Sequence, residues 1–211
     1  QNKHLLPVYN KPMIYYPIET LIKAGIQEIL IVVSGPYAGN FIHVLENGEE
    51  FGLKSLKFAY QKKPDGGIAD ALLLAKDFAN DNPITVILGD NVADVNIKSD
   101  VEYFEKINNH KSDEPPCAHV FLKKVSDPTR FGVPSFDETG TKIVRVDEKP
   151  TKPASNYAVT GLYIYDKHVF SFIKKCVVSE RQQLEISSVN DIYAKNGRLS
   201  WSELDGFWQD A

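Results

Sequence analysis

Short, unbroken apolar runs alternate with helically spaced apolar positions along the first ninety residues. "PIETLIKAG" (17 to 25) places Ile18, Leu21 and Ile22 on one face, with proline in the first turn and glycine past the end, which predicts a short helix. "EILIVVSG" (28 to 35) is apolar without alternation, the pattern of a strand covered on both faces. "NFIHVLENGEEFG" predicts the next helix and "LKFAYQ" (56 to 61) the next strand. In "IADALLLAKDFAN", Ile68, Leu72, Ala75 and Ala79 recur at helical spacing, and "PITVILGDN" then predicts another buried strand.

Beyond residue 91 the pattern is more mixed. Val101, Phe104 and Ile107 suggest a helix, and "CAHVFLKKV" a strand. "FGVPSFDETGTKIVRVDEKP" predicts a hairpin turning at Glu138, Thr139 and Gly140. "NYAVTGLYIYD" reads as a strand, "KHVFSFIKKC" as a helix, "LEISSVNDIYAKNG" as a helix ending at Gly197, and "RLSWSELDGFWQD" as one last strand. The expected fold class is α/β: a mixed, mostly parallel central sheet flanked by helices, with an added β-hairpin.

Composition narrows the partners. The 211 residues, 43% of them hydrophobic, suit a single domain spanning 1–211. A net charge of −4 without basic runs gives no support for nucleic acid or an anionic membrane as partner. The two cysteines, Cys117 and Cys176, lack ligand spacing and fit a reducing, cytoplasmic setting.

Three constellations carry candidate chemistry. In open α/β sheets ligands bind beyond the carboxyl ends of strands, and Asp90 ends the run "VILGD" there. A plain turn or helix cap would also use aspartate at this place. Asp210, closing "GFWQD", either ends a strand or joins Asp90 to hold a hard cation such as Mg²⁺, whose other positions phosphate and water would fill. "QKKPDGG" sets Gly66 and Gly67 before a helix and offers the Gln61 carboxamide, whose donor and acceptor match the imide edge of thymine or uracil; Pro-Asp-Gly is also an ordinary turn. In "DEKP", Glu148 could accept hydrogen bonds from sugar hydroxyls and Lys149 hold a phosphate, or the pair could be a solvated strand edge. The five histidines show no ligand or triad spacing.

The ordered set "KHLLPVYNKPMIYYPIETL", "PDGGIADAL", "LGDN", "RFGV", "EKP", "NYAVTGLYIYD", "LEI" and "GFWQDA" resembles the sugar-1-phosphate nucleotidyltransferases from Lys3 to Ala211, nearest to short-form members that use dTTP and glucose 1-phosphate. The resemblance implies a Rossmann-like nucleotidyltransferase fold and a Mg²⁺-dependent synthesis of dTDP-glucose, which feeds deoxysugar and surface-polysaccharide production. It implies Asp90 and Asp210 as metal ligands, Lys3 as a catalytic and nucleotide-phosphate contact, and Gln61 and Gly66 as thymine-reading positions. Asn91, Gly132, Glu148, Lys149, Val159, Tyr163 and Arg181 match the sugar-phosphate site, with Lys149 the anchor of the phosphate. The family's opening strand with its Gly-rich, arginine-bearing loop, and its closing helix, are expected outside these residues. "SERQQLEISSVN" departs from the family's usual Gly-Glu before "LEI" and Thr-Asp after it. UTP in place of dTTP is a close rival, since both bases present the same edge to Gln61. A nucleotide-binding homologue without catalysis is a second rival, against which the retained acids and lysines weigh. Homo-oligomerisation and allosteric control stay open.

Overall fold

The computed structural model describes residues 2–108, 117–176 and 183–211. In chain order its elements are β1 (Pro7–Val8), β2 (Lys11–Pro12), α1 (Tyr15–Lys23), β3 (Glu28–Ser34), α2 (Ala38–Leu45), β4 (Ser55–Gln61), α3 (Ile68–Leu73), α4 (Lys76–Ala79) and β5 (Ile84–Ile87). Then follow β6 (Asn91–Asp94), α5 (Lys98–Asn108), β7 (Ala118–Lys124), β8 (Gly132–Phe136), β9 (Ile143–Glu148), β10 (Tyr157–Tyr165), α6 (Val169–Ile173), α7 (Ile186–Lys195), β11 (Leu199–Glu203) and β12 (Phe207–Asp210). None of the described helices is long and apolar enough to cross a membrane.

The central sheet is organised around β10, whose residues Ala158 to Tyr165 are all buried. One of its edges pairs with β7; the other pairs with β8 at Val159 and with β5 from Leu162 to Tyr165. The change of partner falls beside a register shift between Val159 and Tyr163, where Gly161 instead bonds Leu88 and the Asn91 side chain. Layers cover both faces. Helices α6 and α7 bury Phe170, Phe172, Val189 and Tyr193 on one side, whereas Val101 and Phe104 of α5 pack with Phe121, Leu162 and Ile164 on the other. A third apolar cluster joins α1 and α2 to β3 through Ile18, Leu21, Phe41 and Ile31.

The mixed α/β class with flanking helices is as expected. Parallel pairing is confined to β3–β4, joined across α2, and to β7–β11; the other described pairs are antiparallel. Apolar runs report burial on both faces, and β10 obtains that burial with antiparallel neighbours once helices cover the sheet. The helix expected from Ile68 to Ala79 is divided, because the hydrogen bonds tighten to i−3 at Leu74 and Ala75. Ala75 and Ala79 stay buried through that bend. The last expected strand is also divided. The Lys123 ammonium donates to the carbonyls of Leu204 and Gly206 at 2.9 and 2.7 Å, where the chain leaves β7 to pair with β6. β5 is half-buried rather than buried, since it lines a cleft of roughly 540 Å³ that it shares with α1 and β3.

Candidate active site

The sequence places Gly89 and Asp90 directly after the apolar run of β5, so the chain must leave the sheet there. It turns back as β6, to which β12 adds antiparallel with Asp210 opposite Asn91, and the Ala211 N–H donates to the Asp90 carbonyl at 3.1 Å. The two acids therefore come together from strands 120 residues apart in the chain. Lys3, on a 3-10 turn capped by the Asn2 side chain, donates to Asp90 Oδ2 at 2.8 Å and to the Ala211 carbonyl at 2.7 Å. The Asp210 carboxyl is pushed above its ordinary proton affinity, first by burial and next by the charge of Asp90; Lys3, Arg130 and Lys149 oppose the shift. Tyr163 reports the same crowding, because its phenol is raised by burial and then by Glu148, Asp210 and Asp90. Three carboxylates, Glu148, Asp210 and Asp90, thus act on one buried hydroxyl, with Lys3, Arg130 and Lys149 close enough to act on Asp210.

Asn91 supports this corner from within. It is buried, its Oδ1 accepts from the Gly161 N–H at 2.9 Å and from Trp208 Nε1 at 2.7 Å, and its Nδ2 donates to Asp90 Oδ1 at 3.3 Å. A side chain on Gly161 would place Cβ about 2.5 Å from Asn91 Nδ2, so only glycine lets β10 approach so closely. The Asn91 oxygen, matched at first to a sugar-lining position, is thus taken up by protein donors and its amide faces Asp90. The residue acts on the carboxylate corner and fastens β6, β10 and β12 together.

Beside that corner, three of the positions matched to the sugar lie in one row: Val159 of β10 pairs with Gly132 of β8, and Gly132 pairs with Glu148 of β9. The buried hydroxyl of Ser187, on α7, donates to Glu148 Oε2 from beneath this row. Lys149 follows with φ +44°, a conformation few non-glycine residues adopt, and its N–H donates to the Phe131 carbonyl at 2.9 Å. Its ammonium stands 3.9 Å from Glu148. Tyr163 is buried and stacks on Tyr165 at 5.7 Å. Arg181 lies outside the described residues.

Across the cleft, Gln61 ends β4 and is buried. Its Nε2 donates to Asp70 Oδ2 at 2.8 Å and to the Gly67 carbonyl at 3.2 Å. The loop carrying Gly66 is held by Leu184, whose N–H donates to the Gly66 carbonyl while its own carbonyl accepts from Ala69. Gln61, Gly67, Glu148 and Lys149 all line the same cleft.

Four contributors carried little signal in the sequence. In the sequence Asp70 lies in one helical pattern, Ser187 in another, and Trp208 within an aromatic strand. His4 had no ligand spacing, yet its proton affinity is lowered, first by burial, with the Asp90 charge opposing and the Lys3 charge assisting. An Asp-Trp-Asn-type polar contact across sheets leaves no periodic trace, so pattern alone could not have found these residues.

A family model described as "Nucleotidyl transferase" matches residues 1–211. Among curated relatives, a glucose-1-phosphate thymidylyltransferase of an Actinoplanes strain is 40% identical over 94% of this chain and 62% of its own length. One of Neisseria meningitidis serogroup A is 38% identical over 99% of this chain and 70% of its own length. The chain thus spans a little under two thirds to about 70% of these relatives. Among solved structures, one from Bacillus anthracis, provisionally assigned as a glucose-1-phosphate thymidylyltransferase and bound to sucrose, is 42% identical with a TM-score of 0.88, covering 100% of this chain and 81% of that one. A UDP-glucose pyrophosphorylase complexed with UDP-glucose shares the fold at 23% identity, with a TM-score of 0.77 over 99% of this chain and 84% of that one.

Proposed function

The chain belongs to the nucleotidyl transferase family, and from that premise we propose that it transfers the thymidylyl group of dTTP to glucose 1-phosphate, giving dTDP-glucose and pyrophosphate. The observation that carries the reading is the meeting of Asp90 and Asp210 at the β6–β12 pair, with Lys3 on Asp90 and Lys149 close enough to act on Asp210. Two carboxylates of mutually raised negative potential, with cations at the rim, suit a divalent metal and a polyphosphate better than a neutral ligand. The donor set fits Mg²⁺, held by Asp90 and Asp210. When bound, Mg²⁺ would neutralise phosphate charge and align the triphosphate.

The chain's own residues divide the remaining work. A phosphate oxygen of glucose 1-phosphate attacks the α-phosphorus, a new P–O bond forms, and the bond to pyrophosphate breaks. Lys149 anchors the attacking phosphate, its ammonium standing beside Glu148. Glu148 accepts from sugar hydroxyls, with Ser187 fixing its orientation. Lys3 offers its ammonium to the developing charge on the nucleotide phosphates, and Gln61 meets the imide edge of the base. Such chemistry needs positioning and charge stabilisation more than covalent help. UTP is the second reading, because uracil presents the same edge to Gln61 and differs by one methyl group, worth about 1–3 kcal/mol.

Pyrophosphate release tests the proposal, with glucose 1-phosphate, Mg²⁺ and dTTP, UTP, CTP, GTP or ATP offered in turn to the whole protein. Preference for dTTP is the expected result. Equal or better use of UTP would transfer the assignment to a uridylyltransferase, and silence with all five would favour a binding protein.

A further inference from the structure

We infer that Asp70 sets the base specificity of this site, by forcing the Gln61 carboxamide to turn its amide hydrogens inward and its oxygen toward the ligand. The inference rests on the nucleotidyl-transfer reading and on Gln61 as the group that meets the base.

Gln61 Nε2 faces two acceptors, Asp70 Oδ2 at 2.8 Å and the Gly67 carbonyl at 3.2 Å. A carboxylate and a carbonyl can only accept. If the carboxamide were inverted, its oxygen would oppose two oxygens in a buried setting and both hydrogen bonds would be lost, so one orientation is enforced by charge. Asp70 in turn has little freedom. It lies in the first turn of α3, and a Cβ on Gly66 would stand 2.5 Å from its Oδ2, so the loop glycine passes directly over the carboxylate. This contact gives Gly66 a reason to be glycine that does not involve the ligand.

Among the described residues no donor is found for Gln61 Oε1, and Gln61 lines the cleft. The site therefore presents an acceptor. Thymine and uracil meet it with N3–H, a donor. Cytosine meets it with a bare N3 lone pair, and two acceptors repel. Discrimination between the pyrimidines is thus set by Asp70, one residue removed from the base, and Asp70 is a positioning residue.

The alternative is a purely structural aspartate that favours the start of α3 through its charge. The two roles separate in a ratio. For the whole protein, kcat/KM would be measured with dUTP and with dCTP, which share the sugar and lack the methyl group, in the unmodified protein and in Asp70→Asn. Asparagine keeps the shape but offers either oxygen or NH₂, so Gln61 can invert. The preference for dUTP over dCTP should fall about tenfold or more, the order expected when one hydrogen bond at the base is exchanged for a repulsion. A structural role would lower both values together and leave their ratio unchanged, and that result overturns the inference. Should turnover of the variant be too low, competitive binding of dUTP and dCTP to it gives the same ratio. Should Asp70→Asn not fold, Asp70→Ser also offers Gln61 either a donor or an acceptor and is expected to relax the ratio likewise. An unmodified protein that uses neither dTTP nor dUTP would overturn the functional reading itself, whereas a dUTP preference undiminished in both variants overturns the role of Asp70 alone.

Discussion

Two groups of polar residues in this molecule, one around Gln61 and one around Asp90, are held in different ways. At the base end, Gln61 Nε2 donates to both Asp70 and Gly67, so the orientation of its carboxamide is set before any ligand arrives. At the phosphate end, burial and then the Asp90 charge raise the proton affinity of Asp210, and Lys3 bridges Asp90 to the backbone of Ala211. On the proposed reading the first end would recognise by shape and donor pattern. The second is organised by charge and, on the proposed reading, would be completed by a cation and phosphates. Changes at the second should therefore alter rate, and changes at the first should alter choice.

The largest effect is expected at the charged end. Asp90→Asn should lower turnover by about a thousandfold or more, while circular dichroism and the melting profile stay close to those of the unmodified protein. Pyrophosphate release near the original rate would remove Asp90 from the metal corner.

Ser187→Ala comes next and probes the sugar side of the same comparison. With its hydroxyl gone, Glu148 loses the hydrogen bond from Ser187, and KM for glucose 1-phosphate should rise about tenfold, the order of one charge-assisted hydrogen bond. KM for dTTP should stay unchanged and threonine at 187 should restore the original value. Equal rises in both KM values would show a general loosening instead.

A smaller effect is expected for Trp208→Phe, which keeps the ring but removes the N–H that Asn91 Oδ1 accepts at 2.7 Å. The loss should cost about 1 kcal/mol and lower the melting temperature by roughly 2–4 °C. An unchanged melting curve would mean that water replaces the indole at no cost.

The smallest concerns His119, remote from both ends. Burial lowers its pKa to about 4, with the Asp100 charge opposing. The unfolded chain, with an ordinary histidine pKa near 6.5, then binds more protons between pH 6.5 and 4, so stability falls as pH drops through that window. The melting temperature should decline on that account, and His119→Gln should flatten the decline. An identical slope in both proteins would assign the loss to other groups.

Much of this arrangement was legible in the sequence, for physical reasons that also mark its limit. Asp90 stood out because its carboxylate follows an apolar strand, a costly place for a charge without a partner, and Asp210 because it closes an aromatic segment whose Phe207 is in fact exposed. The "PDGG" turn and the Glu138–Gly140 hairpin follow from local backbone preferences, and the hairpin brings Glu148 beside Gly132 as its length requires. What stayed hidden depends on register between distant strands. Asn91 reads as another polar residue after "LGD", and nothing in its neighbourhood says that Gly161 and Trp208 occupy its oxygen. Asp70 reads as a helical surface acid, and only the approach of Gln61 reveals its part. The division of the last strand likewise depends on Lys123, more than eighty residues earlier, reaching Leu204 and Gly206.

The separation of the two ends is tested most directly by titrating dTTP and dCTP calorimetrically into the unmodified protein and into Asp210→Asn, with Mg²⁺ and with a chelator. Asp210→Asn should lose the gain in affinity that Mg²⁺ confers and keep the preference for dTTP over dCTP seen in the unmodified protein. Loss of that preference together with the Mg²⁺ response would contradict the account, because base choice would then depend on the charged end.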